Sequence, residues 1–325
     1  MSKIILSADL GKYDVKVVGR DLEKDKEIKE VCFRTKMYDL KNGFIELQGN
    51  SYEIDFDGKQ YIVGEQGTDN SNDTSKTNLL HKLCCYAAIT NFIEPGTKGN
   101  EIYMVLACPL SVLQIQSAKD EYKNFIKGDG EVNITVNNKK YSFTIKEIMI
   151  KAEGSGILYL EKAMFTDKDV AVVDLGGLNM SFSLFRNGVC NNKERFIEEL
   201  GGNYLVQKIR EHLIRYKNGN LVSLDQAEMS LKKGYLPQGG EIDAASISSI
   251  TNAKEEYFKD ILKNIKQNGY EIDNLDKIIF VGGTTQNIKN QISKHIKHSF
   301  VPQNSNMTTV NGLYKIAFAK WGQNN

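Results

Sequence analysis

Ile4–Gly11 reads IILSADLG, and half a chain later Ala171–Gly176 reads AVVDLG. In each, an apolar run predicts a buried strand, an Asp-Leu-Gly bend ends it, and a second strand follows: Val15–Arg20 in the first half, Met180–Arg186 in the second. One such bend is common. Two with matched flanks predict two similar lobes, each offering a strand–turn–strand hairpin with an aspartate at the bend. A carboxylate at the end of an apolar strand is expensive to bury unless it is paired or used. Asp9 and Asp174 are therefore the first candidates for chemistry.

Tight glycine-rich turns point successive backbone amides into one concavity that takes phosphate oxygens. Gly11 permits that approach in the first bend and Gly176-Gly177 in the second, and Lys16, on the strand after the first bend, is placed to reach the same phosphates. A hydrated Mg²⁺ satisfies both carboxylates, since it prefers oxygen ligands and keeps most of its waters. A third stretch, Ile278–Thr285 (IIFVGGTT), predicts a buried strand ending in paired glycine at a helix start. Backbone approaches a nucleotide closely there, and a helix N-terminus favours negative charge.

Around these motifs, strands are predicted at Lys29–Arg34, Tyr52–Phe56, Gln60–Val63, Glu101–Ala107 and Ile145–Ile150. Two more flank Asn137-Asn138, Lys277–Val281 is the last strand, and Asp57-Gly58 is a hairpin turn. Asn179–Phe185 and Val189–Phe196 read as a hairpin across Asn187-Gly188. Helices are predicted at Asn78–Phe92, from near Ser111, and over Ser155–Phe165, Tyr204–Tyr216, Leu224–Lys233, Ala253–Asn268 and Leu313–Trp321. The polar stretch Asp69–Lys76 reads as a loop or helix entry. The class is α/β with long mixed sheets.

Composition narrows the function. The 325 residues are 41% hydrophobic and 26% charged, which excludes a disordered chain and leaves ample material for a core. Forty-two basic against 41 acidic side chains give a net charge of +1, so direct nucleic-acid binding is not expected and any link to DNA runs through a partner. The five cysteines are odd in number and irregularly spaced, and His295 and His298, read on one helix face, have no further ligand close in sequence. The first apolar run breaks at Asp9, too early for a signal peptide, and no stretch approaches a membrane span. The expectation is a cytoplasmic protein without membrane attachment.

The order of the two Asp-Leu-Gly bends, the apolar strand before Cys108-Pro109 and the late Val-Gly-Gly-Thr-Thr resembles the actin-like ATPase superfamily. That group includes actin, DnaK-type chaperones, sugar kinases and bacterial filament proteins. Tyr61–Glu65 (YIVGE), Glu153–Gly156 (EGSG) before a helix, Leu200–Asn203 (LGGN) and the compact length are similar to the ParM-type plasmid-segregation actins of low-GC Gram-positive bacteria. The resemblance spans nearly the whole chain and departs at Lys12 and Leu178. It implies two duplicated ribonuclease-H-like domains around a central nucleotide cleft: residues 1–154, completed by a C-terminal helix over 311–325, and residues 155–310.

Position by position, the resemblance makes Asp9–Lys16, with Gly11 and Lys12, the first phosphate loop, and Asp174–Asn179, with Gly176 and Gly177, the second. It places Gly282, Gly283 and Thr284 on the adenosine side, Gly201, Gly202 and Asn203 near the ribose, and Glu228 and Lys232 on the following helix. Glu153 falls where the family keeps the carboxylate that orients the attacking water, with Asp9 and Asp174 positioning Mg²⁺ through water. Phosphoryl transfer needs positioning and charge stabilisation more than covalent chemistry, so one aligned polar residue suffices. Glu65 stays open between a functional and a structural role. The implied function is an ATP-dependent filament, with GTP left open as the nucleotide, that moves a plasmid through a ParR-type DNA-binding adaptor. A small-molecule kinase of the same fold and a membrane-associated scaffold are the alternatives. A chaperone is excluded, because no residues remain for a peptide-binding domain.

Overall fold

In a computed structural model, residues 2–24, 27–41, 43–70 and 76–322 are described. Residues 71–75 of the expected Asp69–Lys76 loop and the last three of the 311–325 segment lie outside them. The chain divides into two compact units, residues 1–160 with 307–325, and residues 161–306.

The first unit starts with β1 (Lys3–Leu10), β2 (Asp14–Asp21), β3 (Lys29–Arg34), β4 (Met37–Asp39), β5 (Ser51–Phe56) and β6 (Lys59–Gly64). Helix α1 (Leu79–Thr90), β7 (Asn100–Cys108), α2 (Leu110–Leu113), α3 (Gln116–Lys127), β8 (Glu131–Val136), β9 (Lys139–Ala152) and α4 (Gly156–Leu160) follow. Among the described residues the strands form one nine-stranded sheet, ordered β3-β2-β1-β7-β9-β8-β5-β6-β4. β1 is buried from Ile4 to Leu10 because both of its faces are covered. Ile4, Leu6, Ala8 and Leu10 face a core shared with α1, while Ile5 faces a second core built with the C-terminal helix. The two-residue period then puts Asp9 on the same face as Ile5 and Ser7.

The second unit contains β10 (Asp169–Leu175), β11 (Met180–Arg186), β12 (Arg195–Glu198), α5 (Gly202–Tyr216), α6 (Leu224–Lys233), β13 (Leu236–Gln238) and β14 (Glu241–Asp243). It continues with α7 (Ser246–Gln267), β15 (Lys277–Val281), α8 (Lys289–His295) and β16 (Ser299–Phe300). Its described strands form a sheet ordered β12-β11-β10-β15-β16 and a separate β13-β14 ribbon. Helix α9 (Thr308–Trp321) belongs to the first unit and lies against β1, β2, β7 and α4.

The two sheets repeat one pattern. β1 pairs antiparallel with β2 and parallel with β7, and β10 pairs antiparallel with β11 and parallel with β15. Registers match as well: Asp9 faces Lys16 across its hairpin, and Asp174 faces Ser181.

Four expectations are corrected. β9 is a single strand where two were expected, and its register against β7 shifts at Ile102/Tyr103, so a bulge absorbs the irregularity. The return strand expected at Val189–Phe196 forms only at Arg195–Glu198, because Asn192–Glu194 first makes a 3₁₀ turn. Lys277–Val281 is followed by one further short strand, β16. Finally, α8 ends at His295, so His298 does not share its helix face; its Nε2 lies 2.9 Å from Ile272 O.

Candidate nucleotide site residues

In the first unit, three neighbouring parallel strands, β1, β7 and β9, end together. Carboxyl ends of parallel strands are where open α/β sheets present ligand-binding loops. Asp9 is 9% exposed, and its Oδ2 lies 3.5 Å from Lys16 Nζ. Gly11 makes the bend possible: a Cβ there would come within 2.5 Å of Asp14 O. The Gly11 carbonyl accepts from the buried Thr35 hydroxyl at 2.7 Å, which fixes the turn from β3's end.

Glu153 follows β9, and its backbone N–H donates to Cys108 O at 2.9 Å. Gly154, at φ +73°, turns the chain away, and its N–H donates to Thr309 Oγ1 of α9 at 3.2 Å. The Glu153 side chain is 26% exposed, but Oε1 is buried and faces the Lys76 ammonium at 3.3 Å. Burial pushes the Glu153 carboxyl above its ordinary range; Lys76 opposes that shift and the Asp9 charge adds to it.

Lys76 was not singled out from sequence, yet it is 5% exposed and lies 3.3 Å from Glu153 Oε1. It sits in a polar stretch that reads as a solvated loop, and no local pattern marks a lysine there as buried. Nearby, His81 is fully buried, with Nδ1 2.8 Å from Asn78 Oδ1. Burial, then the charges of Lys76 and Lys12 (in the β1–β2 turn), lower the His81 pKa to about 2. The ring is therefore neutral.

In the second unit, Asp174, Gly176, Gly177, Asn179, Gly201, Gly202, Asn203, Gly282 and Thr284 are knitted into one cluster. Gly176 N–H donates to Asn179 O at 3.0 Å, Gly202 N–H to Gly176 O at 2.9 Å and Asn203 N–H to Gly177 O at 2.8 Å. Thr284 Oγ1 donates to Gly176 O at 2.9 Å. Gly282 has φ +94°, and a Cβ there would run into Asp174 Oδ1 and Leu175 O, so only glycine lets β15 end beside β10. Gly283 begins the 3₁₀ turn Gly283–Ile288.

Glu228 and Lys232 pair with each other at 2.9 Å across one turn of α6, a helix that packs on α5, whose first residues belong to the cluster. Glu65 serves its own loop: its Oε2 accepts from Asn50 N–H at 3.3 Å and closes on Gly49.

Duplicated sheets whose central strands end in aspartate-bearing hairpins and glycine turns define the actin-like fold. The family model for the N-terminal domain of actin like proteins matches residues 7–156. An Alp12 filament structure is 49% identical, with a TM-score of 0.73, covering 99% of this chain and 100% of that one. The chain belongs to the actin-like protein family that includes Alp12. A non-polymerisable quadruple mutant of pCBH ParM matches at 17% identity, with a TM-score of 0.75 and 98% and 99% of the two chains covered. An archaeal actin homologue in complex with ADP matches at 15% identity, with a TM-score of 0.75 and 98% and 100% covered. At those identities the likeness concerns the fold alone. The curated proteins returned no match. No helix among the described residues is long and apolar enough to cross a membrane.

Proposed function

We propose that this chain is an ATP-hydrolysing, filament-forming protein that segregates plasmid DNA in the cytoplasm through a ParR-type DNA-binding adaptor. The observation that carries the reading is the 49% identity, end to end, with a protein solved as a filament. The paired aspartates at matching registers supply the chemical half of it.

The residues suit a nucleotide. Gly11 and Gly282 stand where a side chain would collide with backbone, so bare peptide is what the first turn presents to phosphate and the β15 turn to the adenosine side. Among the described residues no three His, Cys, Asp or Glu cluster as a metal cage. Asp9 and Asp174, each beside a turn of its own unit, suit instead an ion that keeps waters and takes further ligands from phosphate, as Mg²⁺ does. When bound, Mg²⁺ offsets charge on the phosphate oxygens.

The chain's own residues divide the remaining work. Lys16 places positive charge opposite Asp9, beside the first turn. The second-unit cluster is held in place by its backbone bonds. Glu153, its carboxyl raised by burial, orients a water and takes its proton as the water oxygen bonds to the γ-phosphorus. The bond to the bridging oxygen breaks, leaving ADP and inorganic phosphate. Calorimetric titration of Mg²⁺·ATP, with phosphate release followed on the same sample, tests this: binding and slow release are expected, and absence of heat at millimolar nucleotide refutes the site.

A further inference from the structure

Lys76 Nζ donates to Leu10 O at 2.5 Å and lies 3.3 Å from Glu153 Oε1. Leu10 stands between Asp9 and Gly11 at the end of β1, and Glu153 follows β9. β7 lies between those two strands, so one ammonium links the ends of β1 and β9 across it. Lysine is almost never buried to this extent without a partner, and removing an ammonium from water costs several kcal/mol before any attraction is counted. A side chain needed only to fill space would be apolar. Asp9, Lys16 and Glu153 are charged groups of the same neighbourhood, as is Lys12 beside His81, which is itself neutral.

We propose that Lys76 is a positioning residue for hydrolysis: it ties Glu153 Oε1 to the Leu10 carbonyl of the first phosphate turn, leaving the second carboxylate oxygen to meet the attacking water. The proposal rests on the reading of Glu153 given above. Phosphate binding to the turn and placement of the water are thereby joined through one side chain, since a shift of the Leu10 peptide moves the ammonium that holds Glu153.

The test compares Lys76→Met, Lys76→Gln and Lys76→Arg with Glu153→Gln in the full chain. Mg²⁺·ATP affinity is read by calorimetry, single-turnover phosphate release by fluorescence, and folding by thermal melting. Lys76→Met and Lys76→Gln are expected to bind within about threefold of wild type and to turn over roughly 10- to 100-fold more slowly, a part of what a positioned base contributes. Lys76→Arg, which keeps the charge, retains more turnover than either. In the Glu153→Gln background the Lys76→Met change should cost less than about threefold more, because the two residues act as one. Wild-type turnover in Lys76→Met, or a full additional loss in the double variant, overturns the proposal. So does failure of both neutral variants to fold, which assigns Lys76 to stability. A wild-type chain that neither binds nor hydrolyses ATP sinks the functional reading instead.

Discussion

Asp9 and Asp174 hold the same register position, yet Lys16 stands opposite the first and Ser181 opposite the second. The first turn thus carries a cation that the second lacks at that position. Asp174→Ala and Asp9→Ala are expected to abolish phosphate release, whereas Glu153→Ala keeps nucleotide affinity within a few-fold and slows release by roughly 10- to 1000-fold. Equal loss of binding in all three, measured by calorimetry, would make Glu153 structural. His81 gives a separate handle. Its folded pKa of about 2 lies below the ordinary value of 6.5. Between those values the unfolded chain binds a proton that the folded chain refuses. The contribution to stability is therefore complete above pH 6.5 and declines as pH falls, by at most about 1.4 kcal/mol per pH unit. Urea unfolding at pH 7.5 and 5.5 should show a drop that His81→Gln reduces; an identical drop in the variant contradicts the assignment.

At the level of elements, the turns were the most legible. Asp57-Gly58, Asn137-Asn138 and Asn187-Gly188 all carry positive φ at both residues, the conformation that two-residue hairpins demand and that Asn, Asp and Gly accept. The helix Leu224–Lys233 was readable to the residue because Ser223 and Gln226 form a capping box and Gly234 closes it. The β13-β14 ribbon was not readable: three-residue strands, one containing Pro237, have no period to detect. Nor was the crossing of α4 and α9. A Cβ on Gly312 would overlap Gly156 O, so the two helices touch backbone to backbone, and α9 also holds Gly154 through Thr309. Contacts between residues so distant in sequence leave no local trace. Gly312→Ala should cost roughly 2 kcal/mol of stability in urea unfolding, against almost nothing for Lys315→Ala on the exposed side of the same helix. Equal effects would mean that the crossing adjusts freely.

For the whole molecule, the internal echo of Ile4–Gly11 and Ala171–Gly176 was the readable signal, since duplicated topology repeats its strand pattern and its bends. Which surfaces touch in a filament was not readable, because assembly of this kind needs only one complementary pair of patches and no fixed motif. Nucleotide can drive assembly only through contacts that differ between the assembling and non-assembling states. On the proposed function, hydrolysis at Glu153 would remove the γ-phosphate contacts and weaken what ATP built. The most direct measurement is right-angle light scattering of the purified protein after addition of ATP with Mg²⁺, run beside Glu153→Ala. The account predicts a rise that later decays for wild type and a rise that persists for the variant. Scattering that stays flat for both, at protein concentrations where ATP binding is saturated, would contradict it.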